Sequence, residues 1–182
     1  MPLTSPTMLP AISGDDAIRL LQAGKPVQGY RIVGVLASYT NGHLDYAVRI
    51  ENCWVEELRG AAEEYQRPVQ LINSHFVQCD FAFAHFPQGL TIVGCTFENY
   101  LEFQAGGHNQ PGFPVQLQNN IFKGFVNFFD CWYKAEVLVE GNIFHQGTNL
   151  LGAPQGYSVQ FDAPSTIQHN VGNLERNDEG GR

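Results

Sequence analysis

Large apolar residues recur every fifth or sixth position along this chain, each preceded two positions earlier by a small or β-branched residue. The clearest run passes through Leu71, Phe76, Phe81, Phe86, Ile92, Phe97 and Phe103, and a second through Leu117, Phe122, Phe128, Tyr133, Val139 and Phe144. This beat fits neither the period of about 3.6 of an amphipathic helix nor the alternation of a half-buried strand. It predicts very short strands separated by corners, with one large side chain turned inward on each side of a coil.

A longer period contains the short one. VRIENCWV (Val48 to Val55), VQLINSHF (Val69 to Phe76), LTIVGCTF (Leu90 to Phe97), VQLQNNIF (Val115 to Phe122) and VLVEGNIF (Val137 to Phe144) are copies of one segment. Their starts are 21, 21, 25 and 22 residues apart. A period in this range marks a solenoid, whose repeats bury their apolar faces only by stacking on one another. The fifth position of each copy is Asn52, Asn73, Gly94, Asn119 or Gly141. Glycine and asparagine enter the left-handed region most cheaply, so a backbone corner is expected there. The next position holds Cys53, Ser74, Cys95, Asn120 and Asn142, all small enough for the inside of a tight coil. A second half-repeat is CDFAFAHF (Cys79 to Phe86) and VNFFDCWY (Val126 to Tyr133), with LEFQA (Leu101 to Ala105) a partial copy.

From Val48 to Phe161, with Tyr30-Arg31-Ile32 as an earlier turn, this pattern resembles the pentapeptide-repeat proteins. That resemblance implies a right-handed quadrilateral β-helix, all-β, of about six coils. The chain departs from the family at the polar slot before the central residue, which holds Arg49, Gln70, His75, Asp80, His85, Thr91 and Thr96. Glu56 to Pro68, Gln104 to Pro114 and His145 to Ser158 read as detours from the regular path. A wider three-sheet β-helix of pectate-lyase type, with its asparagine ladders, is the rival architecture. The unbroken count of fives and sixes favours the square one.

Before the coils, Ser13 to Gly24 reads as a short helix. Ser13 is the N-cap with Asp16 at the third helical position, and Gly24 and Pro26 stop it. Ile18, Leu21 and Leu20 form its apolar edge, and its expected place is over the open end of the solenoid. The expected division is a capping segment over 1–29, a solenoid over 30–174 and a polar, frayed tail over 175–182.

At 182 residues, 43% hydrophobic and only 15% charged, the chain is long enough for one continuous core. No apolar stretch approaches the roughly 20 residues of a membrane span. The first ten residues lack the basic-then-apolar pattern of a secretory leader, so the cytoplasm is the expected compartment. A net charge of −8 argues against direct nucleic-acid binding and against a membrane-surface patch. Cys53, Cys79, Cys95 and Cys131 all fall at the small inward position, which predicts free, buried thiols.

Chemistry must then come from outward columns or detours. Arg49, Gln70, Thr91, Gln116, Leu138 and Gln160 form a ladder without an acid–base pair. The column Trp54, His75, Thr96, Ile121 and Ile143 is apolar for a solvated face, which points to a partner, a second copy, or cover by the chain's own loops. A third column offers Asp80, Glu102 and Asn127, and a fourth His85 and Trp132. Asp80 and Glu102 should be neighbours on adjacent coils, and paired carboxylates can divide acid and base roles. Such pairs also arise by chance on acidic surfaces. His75 and His85 should face opposite sides, while His108 and His145, in successive detours, could approach each other. Lys123 and Lys134 sit at corners, too sparse a set for a polysaccharide lyase. No phosphate-binding, nucleophile-elbow or zinc-protease motif is present.

The expectation is therefore a non-catalytic binding or interaction protein with a protein partner or a second copy of itself. No catalytic, cofactor-binding or metal-binding residue and no cofactor is assigned. A carbohydrate-binding or carbohydrate-active β-helix is the alternative. The family resemblance adds a lesser one, an acidic mimic of duplex DNA acting on a DNA-binding enzyme. That reading is weakened because Glu56, Glu57, Glu63 and Glu64 cluster instead of forming a stripe.

Overall fold

The computed structural model describes residues 8–37 and 42–181. Most of the segment tested for a leader pattern, and Arg182, lie outside the described residues. The chain winds into a parallel β-solenoid of about six turns with one short helix.

Three sheets run along the axis. The first stacks Val27–Gln28, Val48–Glu51, Val69–Ile72, Leu90–Val93, Val115–Gln118, Val137–Glu140 and Ser165–Gln168. Its register aligns Val48, Val69, Leu90, Val115 and Val137, the first residues of the five sequence copies. The second sheet begins with Ala11–Ser13, Arg31–Ala37, Trp54–Arg59 and His75–Asp80. From there it splits into two rows. One holds Thr96–Phe97, Ile121–Phe122 and Ile143–Phe144, and the other Leu101–Glu102 and Val126–Asn127. The third side pairs His43–Leu44 with Glu64–Tyr65 and Trp132–Tyr133 with Gln160–Phe161, and single bridges at His85 and Gly107 join the two pairs.

The split has a cause visible in the beat. Two residues separate Phe76 from Cys79, and one strand crosses the whole face. Three residues separate Phe97 from Leu101 and Phe122 from Val126, and the extra residue breaks the strand into two. The step of five gives a long side, and the step of six gives two short ones. The cross-section thus passes from three rows near the start to four further on.

Asn52, Asn73, Gly94, Asn119 and Gly141 all take positive φ at the corner between the first and second sheets. Inside, Phe76, Phe97, Phe122 and Phe144 stack with centroids 5.0, 5.3 and 4.8 Å apart. Those distances follow the spacing of about 4.8 Å between paired strands. A second ladder stacks Phe81, Phe103 and Phe128 at 5.6 and 5.1 Å. Beside the first ladder the small column forms a hydrogen-bonded file. Asn120 Nδ2 donates to Asn142 Oδ1 at 2.9 Å, and Asn142 Nδ2 donates to Asn170 Oδ1 at 2.9 Å. The four cysteines are free and buried. Loss of solvation pushes the thiols of Cys95 and Cys131 up to about 12.

Glu56 to Pro68 is not a detour. Trp54–Arg59 pairs along its length with His75–Asp80, and Glu64 bridges His85, so Leu58 to Tyr65 is a regular copy of Cys79 to Phe86. It escapes the pattern because Gly60 stands where a ladder phenylalanine belongs. A Cβ on Gly60 would lie 2.3 Å from the hydroxyl of Tyr65 and 2.7 Å from the ring of Phe81. Tyr65 fills that space, stacked on Phe86 at 5.1 Å. The other two detours are partial. Ala105 and Gly107 keep the path before an excursion pinned by Asn109, whose Nδ2 donates to the carbonyls of Phe113 and Glu136. Thr148 likewise bridges Val126 before the chain leaves through the Pro154–Gly156 turn.

The helix α1 spans Gly14–Gln22, capped by Ser13, whose Oγ accepts from the Asp16 N–H at 3.1 Å. Ala17 and Leu21 are fully buried and join Leu36 and Leu44 in the core, closing the N-terminal end. The helix sits so close that a Cβ on Gly14 would lie 1.8 Å from the Val35 carbonyl oxygen. At the other end the polar tail is held in place. The Leu151 N–H donates to the Leu174 carbonyl at 2.9 Å, and Asn149 Nδ2 donates to the Asp178 carbonyl at 3.2 Å. No apolar period marks this segment, because its anchors are backbone groups and polar side chains, Asn177 Oδ1 accepting from the Ala153 N–H at 2.8 Å and Glu179 Oε1 from Gln155 Nε2 at 2.6 Å.

Candidate functional site

The outer face of the second sheet carries a groove of about 320 Å³ across the coils that begin at Val48, Val69 and Leu90. Two outward columns line it. Glu57, Gln78 and Tyr100 form one, and Arg59, Asp80 and Glu102 the other. The register places Arg59 beside Asp80 and Asp80 beside Glu102. The expected neighbour relation of the two carboxylates is therefore present. Glu102, expected outward, is only 2% exposed, whereas Asp80 is half-buried.

Each member of this acidic column supports the corner that follows it. Asp80 Oδ1 accepts from the Ala82 N–H at 2.8 Å, and Glu102 Oε1 from the Gln104 N–H at 2.9 Å. Asn127 Oδ1 accepts from the Phe129 N–H at 3.1 Å one coil further. The residue after each donor, Phe83, Ala105 or Asp130, has positive φ. Phe83 and Ala105 do not favour that conformation, so the side-chain cap holds the turn there, while Asp130 enters it more readily. Arg59 donates through Nε to Glu57 Oε1 in a close ion pair.

The groove ends where the tail begins. Tyr100 donates its hydroxyl proton to the Glu179 carbonyl at 2.8 Å. Gly180 lies against the Phe125 ring, and the Arg176 guanidinium sits 5.4 Å from that ring's centroid. Phe125 follows Tyr100 in the same outward column, stacked on it at 5.9 Å, yet is buried. One outer track therefore runs along the second sheet, covered by the tail at one end and open at the other.

A scan against protein-family models finds no match. Searches of the curated proteins and of the solved structures find none either. The groove must be read from its own chemistry. Its polar lining, one aromatic wall and one ion pair can hold hydrogen-bonding or charged groups of a small or extended ligand.

The other sequence candidates fall elsewhere. Trp54 and His75 stack at 3.7 Å on the opposite row of the sheet. His75 Nε2 lies 2.9 Å from Glu98 Oε1, and Lys123 Nζ lies 2.7 Å from the same oxygen. Ile121 in this column is 37% exposed, so the apolar column is half open. His85 and Trp132 share the third side, joined by His108, which stacks on His85 at 4.0 Å and meets Trp132 edge-on at 5.4 Å. His108 does not meet His145, which is exposed after Phe144 on the second sheet. Lys134 lies 4.6 Å from the Trp132 ring, and Trp132 Nε1 donates to Asp162, so this ladder's polar and cationic partners are its own. Among the described residues no three His, Cys, Asp or Glu side chains gather as a metal site, and no helix is long and apolar enough to cross a membrane. Glu57, Arg59, Gln78 and Tyr100 were not expected in a site. Aligning Leu58 to Tyr65 with Cys79 to Phe86 would have placed Arg59 over Asp80.

The buried stack makes stability depend on pH. Burial holds the proton affinity of His75 below that of a free imidazole, Glu98 opposes this, and Lys123 adds to it. Burial likewise lowers His108, with His85 and Lys134 acting in the same direction. The unfolded chain takes up these protons first as pH falls through about 6.5. Stability should thus be full above that pH and decline as pH drops toward the folded-state values. Thermal melts at pH 7.5, 6.0 and 5.0 should show a falling Tm with a shallower slope in His75→Gln. A Tm independent of pH over that range would contradict the assignment.

Proposed function

We propose that this chain is a non-catalytic binding protein, a solenoid of pentapeptide-repeat-like character whose contact surface is the groove on the second sheet. The groove is the observation that carries this reading, because a binding surface of stated composition sits on a rigid, laddered scaffold. The cap geometry weighs against catalysis by Asp80 and Glu102. Each uses a side-chain oxygen to hold a turn, and an amide, Asn127, performs the same task in the same column. A proton-transfer role would not be shared with a group that does not titrate. Acidic mimicry of DNA finds little support, since Glu56 is paired with Arg31 and Glu57 with Arg59. Four reduced cysteines support the cytoplasm as its compartment.

Amide NMR spectra recorded during titration with panels of oligosaccharides and peptides test the assignment. A ligand should shift resonances around Asp80, Asn99 and Tyr100. Shifts confined to the first or third sheet would overturn the placement. Turnover of a glycoside, lost in Asp80→Asn, would overturn the non-catalytic reading.

A further inference from the structure

The tail shows what the outer track of the second sheet accepts. Asp178 to Gly180 lies along it as a turned segment, with positive φ at Gly180 and the Gly180 N–H donating to Asp178 Oδ1 at 2.9 Å, and the face holds its backbone at two carbonyls. Asn149 Nδ2 takes Asp178 O, and the Tyr100 hydroxyl takes Glu179 O. Gly180 rests on Phe125, where a Cβ would come within 2.3 Å of the ring. Beyond Tyr100 the same track continues, open, as the groove. Its lining there holds the carboxylates of Glu57 and Asp80 beside the guanidinium of Arg59, which pairs with Glu57.

We propose that the groove binds a peptide segment bearing arginine or lysine, supplied by a protein partner. This rests on the groove being the contact surface. The partner's backbone continues the line of the tail, and its cationic side chains meet Asp80 and Glu57 as charge-assisted hydrogen bonds.

The test uses the full chain and a fluorescein-labelled heptapeptide of alternating glycine and arginine, with its glutamate counterpart as control. Fluorescence anisotropy should show saturable binding of the arginine peptide, weakening as sodium chloride is raised. The double variant Asp80→Asn, Glu57→Gln should weaken it by roughly tenfold or more. Asparagine at position 80 retains the turn cap, as Asn127 does in the same column, so the variant keeps its fold. Unchanged affinity in the variant, equal binding of the glutamate peptide, or no binding of the arginine peptide would overturn the proposal. If the arginine peptide fails while an oligosaccharide shifts the Asp80 and Tyr100 amides, the peptide assignment falls and the groove remains the contact surface. If no ligand of either panel moves those amides, both fall.

Discussion

Phe97→Asp should leave the protein unfolded or insoluble under conditions where the parent chain melts cooperatively. Phe97 is 1% exposed and stacks between Phe76 at 5.0 Å and Phe122 at 5.3 Å. Removing a buried phenylalanine ring costs about 3–5 kcal/mol through lost transfer energy and the cavity left behind. An aspartate adds the penalty of a carboxylate in an apolar file, with rings above and below it. Together these approach the whole stability of a typical domain, about 5–15 kcal/mol. The neighbouring coils add to the effect, because each buries its own ring only against the next. Phe97→Leu separates the charge from the volume and should fold with a loss on the order of 1–3 kcal/mol. Circular dichroism and urea denaturation of both variants make the comparison. A soluble Phe97→Asp with a cooperative transition would mean that position 97 does not point into the file.

The same file explains why so much of the fold could be read from the residues. A coil of this kind repeats its inward positions at fixed spacing, so Val55, Phe76, Phe97, Phe122 and Phe144 announce their shared column without any tertiary information. Asn52, Asn73 and Gly94 announce the corner by the same logic, since few residue types enter positive φ cheaply. Ser13 and Asp16 gave the helix start because capping is a local contact. Even the change from one long side to two short ones was written in the step from five to six. The spacing is legible in one dimension, whereas strand continuity depends on pairing with the neighbouring coils.

What escaped were features whose signal lies outside that spacing. Gly60 interrupts the phenylalanine column, and the compensating ring, Tyr65, comes five residues later on another side of the coil. A one-dimensional count cannot see one side chain filling the space that another leaves. The tail escaped for a different reason. It is held through the carbonyls of Leu174, Asp178 and Glu179, which every residue carries, and through scattered polar side chains such as Asn177 and Arg176 that follow no period. The groove inherits both difficulties, since Arg59 and Glu57 belong to the unrecognised copy and Tyr100 is positioned by the tail. Asp80 and Glu102 were found as neighbours, but their burial and their work as turn caps depend on three coils at once.

Asn142→Leu should be the most destabilising change in the small column, with a loss of about 3–6 kcal/mol summed from the groups it strands. Asn142 is fully buried and makes four side-chain hydrogen bonds. Its Oδ1 accepts from the Asn120 N–H at 3.0 Å and from Asn120 Nδ2 at 2.9 Å. Its Nδ2 donates to the Leu117 carbonyl at 2.7 Å and to Asn170 Oδ1 at 2.9 Å. Leucine keeps the branched outline of asparagine but is bulkier, and it leaves the Asn120 N–H and the Leu117 carbonyl facing apolar surface, where no water reaches them. Unpaired buried groups are more expensive than the bonds themselves are favourable, so the loss exceeds a simple count of bonds. Two comparisons fix the mechanism. Asn142→Ser should recover part of the loss, because Ser74 already serves this column, accepting from the Cys53 N–H at 3.1 Å and donating to the Ile72 carbonyl at 2.8 Å. Asn170→Leu, at the half-buried last position, should lose less, since the groups it exposes have water nearby. Urea denaturation at neutral pH would rank the three. If Asn142→Leu unfolds at the same urea concentration as Asn170→Leu, the file is ordinary packing, and the hydrogen bonds along it do not hold the coils in register.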